Sequence, residues 1–312
     1  MKEIATVTPV RGCCVEDLRA IAREAEAAGF WGIFSPELPP YSALSNSQVF
    51  AEVTSEITVG TWITNIYMRH PVMCAGEALT VQEVSNGRML LGLGVSHKPF
   101  NERLGIDMGD PLAEMSKYVR AVRSFMNGHS PLLNIKRALP EVPVYMAGFT
   151  EKSAELAGEI ADGFIPNLAT PGYMKVLSAA VRRGAEKAGR SPREIKITNG
   201  VYSFISDDLE AARGAAAAAL TGYARLPFYQ RLFSNAGFEN VVAKIRSGVE
   251  PADAFTDGFL DAMALIGPPG RCREGLEAHR EAGVEIPVIV PYAVGKESNV
   301  DVIRKALKAF GV

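Results

Sequence analysis

The chain is poor in the residues that build covalent or metal-linked frameworks. It has four cysteines, Cys13, Cys14, Cys74 and Cys272, and four histidines among 312 residues. The cysteines form no C-x-x-C pair and no metal-ligand spacing, which speaks against a disulfide scaffold and a zinc site. A reducing cytosol is the expected compartment. The opening "MKEIATVTPV" lacks the long apolar core of a signal peptide, and no apolar run reaches the roughly 18 residues that a membrane-spanning helix needs. Charge of one sign is scarce as well: the net charge is -2 and neither sign gathers in blocks. That excludes an electrostatic surface for nucleic acid or anionic membrane and leaves small molecules as the expected partners. Internal repeats and low-complexity tracts are absent, and "GAAAAAL" (214–220) is simply a strong helix former.

What is present is alternation. "IATVTPV" reads as a buried strand, and 16–29 as a helix with Leu18, Ile21, Ala22, Ala25 and Ala28 on one face, stopped by Gly29. Strands then follow at "FWGIFS", "ITVGTWIT", "RMLLGLG", "VPVYMA", "DGFIP", "EIKITNGVYSFIS" and "IPVIVPY", separated by helical patterns near 47–55, 71–85, 112–127, 150 onward, 171–188, 208–220 and 271–282, with a closing helix at 298–310. Eight strands with following helices predict an all-parallel sheet, and eight is the number that closes a (β/α)8 TIM barrel. An open doubly wound sheet would carry G-x-G-x-x-G after its first strand, where this chain has "TPVRGCC". The expectation is a single barrel domain over 1–312, with a helical insertion over about 221–267 before the last βα unit.

Barrel active sites lie where strands run into βα loops. That criterion selects Thr64 and Asn65 after the third strand and 96–101 after the fourth. Four stretches there and nearby, "EAEAAGFWGIFSPE", "TNIYMRHPVMCAGEALTVQEVSNGRMLLGLGVSHKPFNERLG", "PVYMAGFTEKSAELAGEIADGFIPN" and "GPPGRCREGLEAHREAGVEIPVIV", resemble the luciferase-like family of flavin and deazaflavin oxidoreductases. The likeness is strongest to the branch that uses the deazaflavin coenzyme F420, and it does not clearly cover 220–267.

The resemblance implies that Thr61, Trp62, Ile63 and Thr64 support one face of the tricyclic ring, with a non-prolyl cis peptide at Thr61–Trp62 or Trp62–Ile63. It assigns coenzyme contacts to Ser96, His97 and Asn101, beside Gly92 and Gly94, which permit close backbone approach. It assigns further contacts to Phe149, Thr150, Lys152 and Ser153, where Thr150 reads as a helix N-cap; free N–H groups there suit a phosphate, although an ordinary capped helix explains the same residues.

The implied chemistry is hydride transfer between F420 and a small organic substrate, by reduction of a C=C, C=N or C=O bond. FMN with oxygen chemistry is the alternative, as is a noncatalytic flavin-binding relative. In the sugar-phosphate dehydrogenase branch an Asp-His pair follows strand two and a glutamate follows strand four; here Pro36, Glu37 and Lys98 stand there, against that activity. Glu37, among Phe34, Pro36, Leu38 and Tyr41, is the first candidate acid or base, since an apolar site raises a carboxyl pKa. His70 and His97 are the other catalytic candidates, with capping or solvation as the plainer reading of each. Phe228, Tyr229, Phe233 and Phe238 in the insertion either pack a helix pair or roof an apolar substrate pocket. A homodimer is expected from the family, with the apolar helix over 72–84 as one surface for it.

Overall fold

A computed structural model describes residues 3–129 and 140–311. Its strands are β1 (Ala5–Val7), β2 (Gly32–Ser35), β3 (Thr58–Thr61), β4 (Thr64–Asn65), β5 (Met89–Gly94), β6 (Val144–Ala147), β7 (Gly163–Ile165), β8 (Lys196–Ile205), β9 (Ala264–Gly267) and β10 (Ile286–Pro291). The helices between and after them are α1 (Val15–Ala27), α2 (Ala43–Val53), α3 (Pro71–Val84), α4 (Lys98–Arg103), α5 (Pro111–Met126), α6 (Glu151–Ile160), α7 (Pro171–Lys187) and α8 (Leu209–Ala224). Then come α9 (Pro227–Asn235), α10 (Glu239–Arg246), α11 (Pro251–Ala254), α12 (Asp257–Met263), α13 (Pro269–Glu281) and α14 (Asn299–Phe310).

All named strand pairs are parallel. β1, β2, β3, β5, β6, β7 and β8 pair in chain order, and β10 joins β8 to β1, so the sheet closes on itself as the alternation predicted. Both faces of such a sheet are buried, which is why its strands read as continuous apolar runs. Inside the ring pack Ala5, Val7, Phe34, Trp62, Leu90, Tyr145, Ile165, Ile286 and Val288. The outward residues of the same strands meet the helices: Ile33 and Leu91 join a second, larger core with Leu18 and Ile21 of α1 and Ile303 and Leu307 of α14.

Two details depart from the sequence reading. The third strand is not continuous: it breaks between β3 and β4, and β4 pairs only with β5. The insertion is helical through α9 to α12 but ends in a strand. β9 pairs with Tyr202–Ile205 of β8 while β10 pairs with 198–203, so β9 occupies the β8 edge that β7 leaves after Ile197. "ALIG" is too short, and too close to the helical pattern before it, to be separated by periodicity alone. The connection after β5 contains a short helix, α4.

Candidate active site

The break in the third strand builds the centre of the barrel's C-terminal mouth. Thr61 keeps its place beside Ser35 of β2 but loses its pairing with β5, and Trp62 and Ile63 then leave the ladder as a bulge, with a cis peptide at Trp62–Ile63. The Thr61 hydroxyl replaces the lost backbone pairing: Oγ1 donates to Gly92 O (2.8 Å) and accepts from Gly92 N (3.0 Å). At position 92 only glycine tolerates this. A Cβ at Gly92 would lie 2.3 Å from Thr61 O, and one at Gly94 would lie 2.7 Å from the Ile63 side chain. Those two glycines therefore make room for the bulge itself. Trp62 is buried and stacks on Phe34, with ring centroids 5.4 Å apart.

Beyond the bulge, Asn65 Nδ2 donates to Asn101 Oδ1 (2.8 Å), and Asn101 Nδ2 donates to Val95 O (2.8 Å). Both asparagines are buried, and together they pin the Ser96–Asn101 loop to the bulged strand. Asn101, expected to contact the coenzyme, spends its amide on this lock. Ser96, with φ +57°, turns the chain out of β5. His97 then projects into an aromatic group, stacked on Phe228 at 5.3 Å and edge-on to Tyr223 and Tyr229. Burial lowers its pKa, so the imidazole is neutral at neutral pH.

Phe149, after β6, stacks on Phe228 and Tyr229 at 5.8 and 5.7 Å. Next to it α6 begins with a capping box: Thr150 Oγ1 accepts from Ser153 N (3.2 Å), and Ser153 Oγ accepts from Thr150 N (3.0 Å). The amides of Glu151 and Lys152, the first two of the helix, have no partner among the described residues, as helix geometry leaves them. The Lys152 side chain is exposed and makes no ion pair among the described residues, whereas Glu151 pairs with Arg183.

A hydroxyl network lies between the bulge and this aromatic group. Asn167 Nδ2 donates to Tyr202 Oη (3.2 Å) and Tyr229 Oη (3.3 Å), and Tyr202 Oη donates to Tyr223 Oη (2.8 Å). Tyr292 packs on Tyr202 at 4.8 Å. Burial pushes the phenols of Tyr202, Tyr229 and Tyr292 up, so all three stay protonated across the physiological range. A Cβ at Gly200 would strike Asn167 Oδ1 at 2.5 Å and sit 3.5 Å from the Trp62 indole nitrogen, so this network borders the bulge.

Two expected catalytic residues lie elsewhere in chemical terms. The Glu37 carboxylate is buried, with its side chain 4% exposed, but its site is not apolar: Arg69 Nη1 and Nη2 donate to its two oxygens at 2.5 and 3.3 Å. That corrects the reading of Glu37 as a carboxyl in an apolar site. His70 is exposed and caps α3, its Nδ1 accepting from Val72 N (3.3 Å), so a structural duty accounts for it. A cleft of about 390 Å³ lined by Glu24, Arg304 and Lys308 lies between α1 and α14 on the helical ring; there Glu24 and Arg304 saturate each other, and it carries no chemistry.

This arrangement can be set against known proteins. Residues 8–285 match the family model described as luciferase-like monooxygenase. The chain belongs to the luciferase-like monooxygenase family. A 5,10-methylenetetrahydromethanopterin reductase of Methanolobus tindarius is 29% identical over 297 residues, covering 86% of each chain. A putative coenzyme F420-dependent oxidoreductase of Mycobacterium tuberculosis H37Rv is 26% identical, covering 85% of this chain and 88% of that one. Among solved structures, the coenzyme F420 dependent tetrahydromethanopterin reductase of Methanopyrus kandleri superposes with a TM-score of 0.78 at 21% identity, covering 99% and 98% of the two chains.

A luciferase-like barrel implies a ring cofactor at this mouth, and the residues present fit one. Among the described residues the buried hydroxyls of Thr8, just after β1, and Thr64 have no hydrogen-bond partner, and the α6 N-terminus offers two amides and the Lys152 ammonium without a partner. Sequence reasoning did not single out Asn167, Tyr202, Tyr223 or Tyr292. Asn167 and Tyr292 follow strand ends and were findable by position; Tyr202 lies inside a long apolar strand, and Tyr223 in the insertion that the luciferase-like resemblance did not cover.

Proposed function

We propose that this protein is an F420-dependent oxidoreductase that reduces a C=C, C=N or C=O bond of a small organic substrate. One observation carries the reading: the bulge at Trp62 and the uncommitted N-terminus of α6 share one mouth, in a chain whose relatives are named for that coenzyme. When bound, the deazaflavin supplies two-electron hydride chemistry. The bulge of Trp62 and Ile63 supports the ring, with Thr61 and Thr64 fixing it from either side. The Glu151 and Lys152 amides and the Lys152 ammonium bind phosphate oxygens. Phe149, Phe228 and Tyr229 exclude water. His97, neutral through burial and ringed by Tyr223 and Tyr229, is the catalytic candidate that the geometry favours for holding a proton at the substrate. The commitments of Glu37 to Arg69 and of His70 to α3 argue against those two.

All four cysteines are free thiols, in keeping with a reducing cytosol. Among the described residues no helix is long and apolar enough to cross a membrane. A homodimer through the outer face of α3 completes the reading. The test is a titration of the protein with F420 and, separately, FMN, followed by ring absorbance and fluorescence. Tight F420 binding with weak FMN binding is expected, and Lys152→Ala should weaken F420 binding about tenfold by removing one phosphate contact. The reverse coenzyme preference would overturn the proposal.

A further inference from the structure

The burial of Glu37 has a purpose that the loop around it reveals. The Glu37 amide donates to Ile63 O (3.1 Å), and the Trp62 amide donates to Ser35 O (2.8 Å), so the Ser35–Glu37 segment grips the bulge on both sides of its centre. That segment is itself anchored. Asn46 Nδ2, on α2, donates to Ser35 Oγ (2.9 Å), and the Glu37 carboxylate takes the fork of Arg69. Arg69 is tied in four directions: its Nη2 also reaches Ser42 Oγ at the start of α2 (3.3 Å), its Nε pairs with Glu77 Oε2 on α3 (3.2 Å), and its carbonyl accepts from Tyr118 Oη on α5 (2.9 Å).

We propose that the Glu37–Arg69 pair is a brace that sets the position of the Trp62–Ile63 bulge, making both residues positioning residues for whatever ring packs against it. Two charges withdrawn from water in a fork geometry are a poor device for stability alone, because desolvation cancels much of their attraction. They do fix direction: a planar guanidinium holding both carboxylate oxygens permits one relative orientation of the two loops. Apart from the fork to Glu37, every link from Arg69 runs to a helix, and the chain of contacts ends through the Glu37 amide at the Ile63 carbonyl. A lysine at 69 would keep the charge and lose the fork.

The chain has two tryptophans, so Trp31→Phe leaves Trp62 as the sole indole reporter. In that background, Glu37→Gln and Arg69→Lys should each raise acrylamide quenching of Trp62 severalfold and weaken F420 binding by about tenfold, the scale on which loss of a supporting shell misplaces a site. Arg69→Ala should exceed both; if it fails to fold, the two milder variants still decide. A role in stability alone would lower the melting temperature and leave Trp62 quenching unchanged in the folded milder variants, and that result would overturn the brace. The coenzyme arm rests on the proposed function, whereas the quenching arm does not. Absence of F420 binding in the parent protein would remove that reading and leave the brace to be judged on Trp62.

Discussion

His279, on the buried face of α13, is 5% exposed, with its Nδ1 3.2 Å from Asn199 Nδ2, and burial lowers its pKa from 6.5 to about 4. The folded state therefore binds fewer protons than the unfolded chain between those values. Its stabilising contribution is complete above pH 6.5 and is lost as pH falls toward 4. A shift of that size corresponds to about 3 kcal/mol. Urea unfolding from pH 7.5 down to 5 should show a steep loss of stability, flattened in His279→Gln; equal slopes would refute the assignment. The same physics separates the other candidates. The sequence ranked Glu37 ahead of His70 and His97, although each follows a strand, and what distinguishes them in the fold is what lies across the gap: a guanidinium, a helix N-terminus and a group of rings.

α9 shows the same division within one element. Its Phe228 and Tyr229 meet His97 and Phe149 at the mouth, whereas Phe233 is fully buried against Phe259 on the far side, and Phe238, after the helix, packs on Phe259 as well. Asn235 Nδ2 donates to Tyr173 Oη (3.2 Å), which in turn donates to Phe149 O (3.1 Å), so the helix is seated on the β6 loop. Opposite signatures follow for two neighbouring phenylalanines. Phe233→Ala should cost about 3 to 5 kcal/mol in denaturant unfolding and leave coenzyme affinity in the folded protein nearly unchanged. Phe228→Ala should change coenzyme affinity severalfold with a small loss of stability. The reverse pattern would mean that α9 does not roof the site. The spacing of the four aromatics allowed either a packed helix pair or a roof; which two face the mouth depends on α12, a partner that spacing does not name.

For the molecule as a whole, the outer face of α3 is the unusual surface. Met73 is 58% exposed and Val84 41%, with Gly76 and Thr80 between them at helical spacing. Such a face suits a second copy of the chain. Light scattering should report a dimer, and Met73→Glu with Val84→Glu should yield a folded monomer with an unchanged melting transition at low concentration. A parent protein that is already monomeric would exclude this face as an interface.

The barrel was legible because its evidence is local. Strand and helix periods, and the glycines and caps that end them, are carried by residues adjacent in the chain, and alternation of parallel units leaves few closed solutions. The bulge at 61–64 was expected only through the family resemblance, since nothing local in the threonine-rich strand specifies it. Tertiary structure decided the charges and the proton-bearing groups. Glu37 finds Arg69 across 32 positions, and the Asn167–Tyr202–Tyr223–Tyr229 network gathers four segments across 62. Burial and pairing, which decide whether such groups titrate, exist only once the ring has closed and brought those segments to one end.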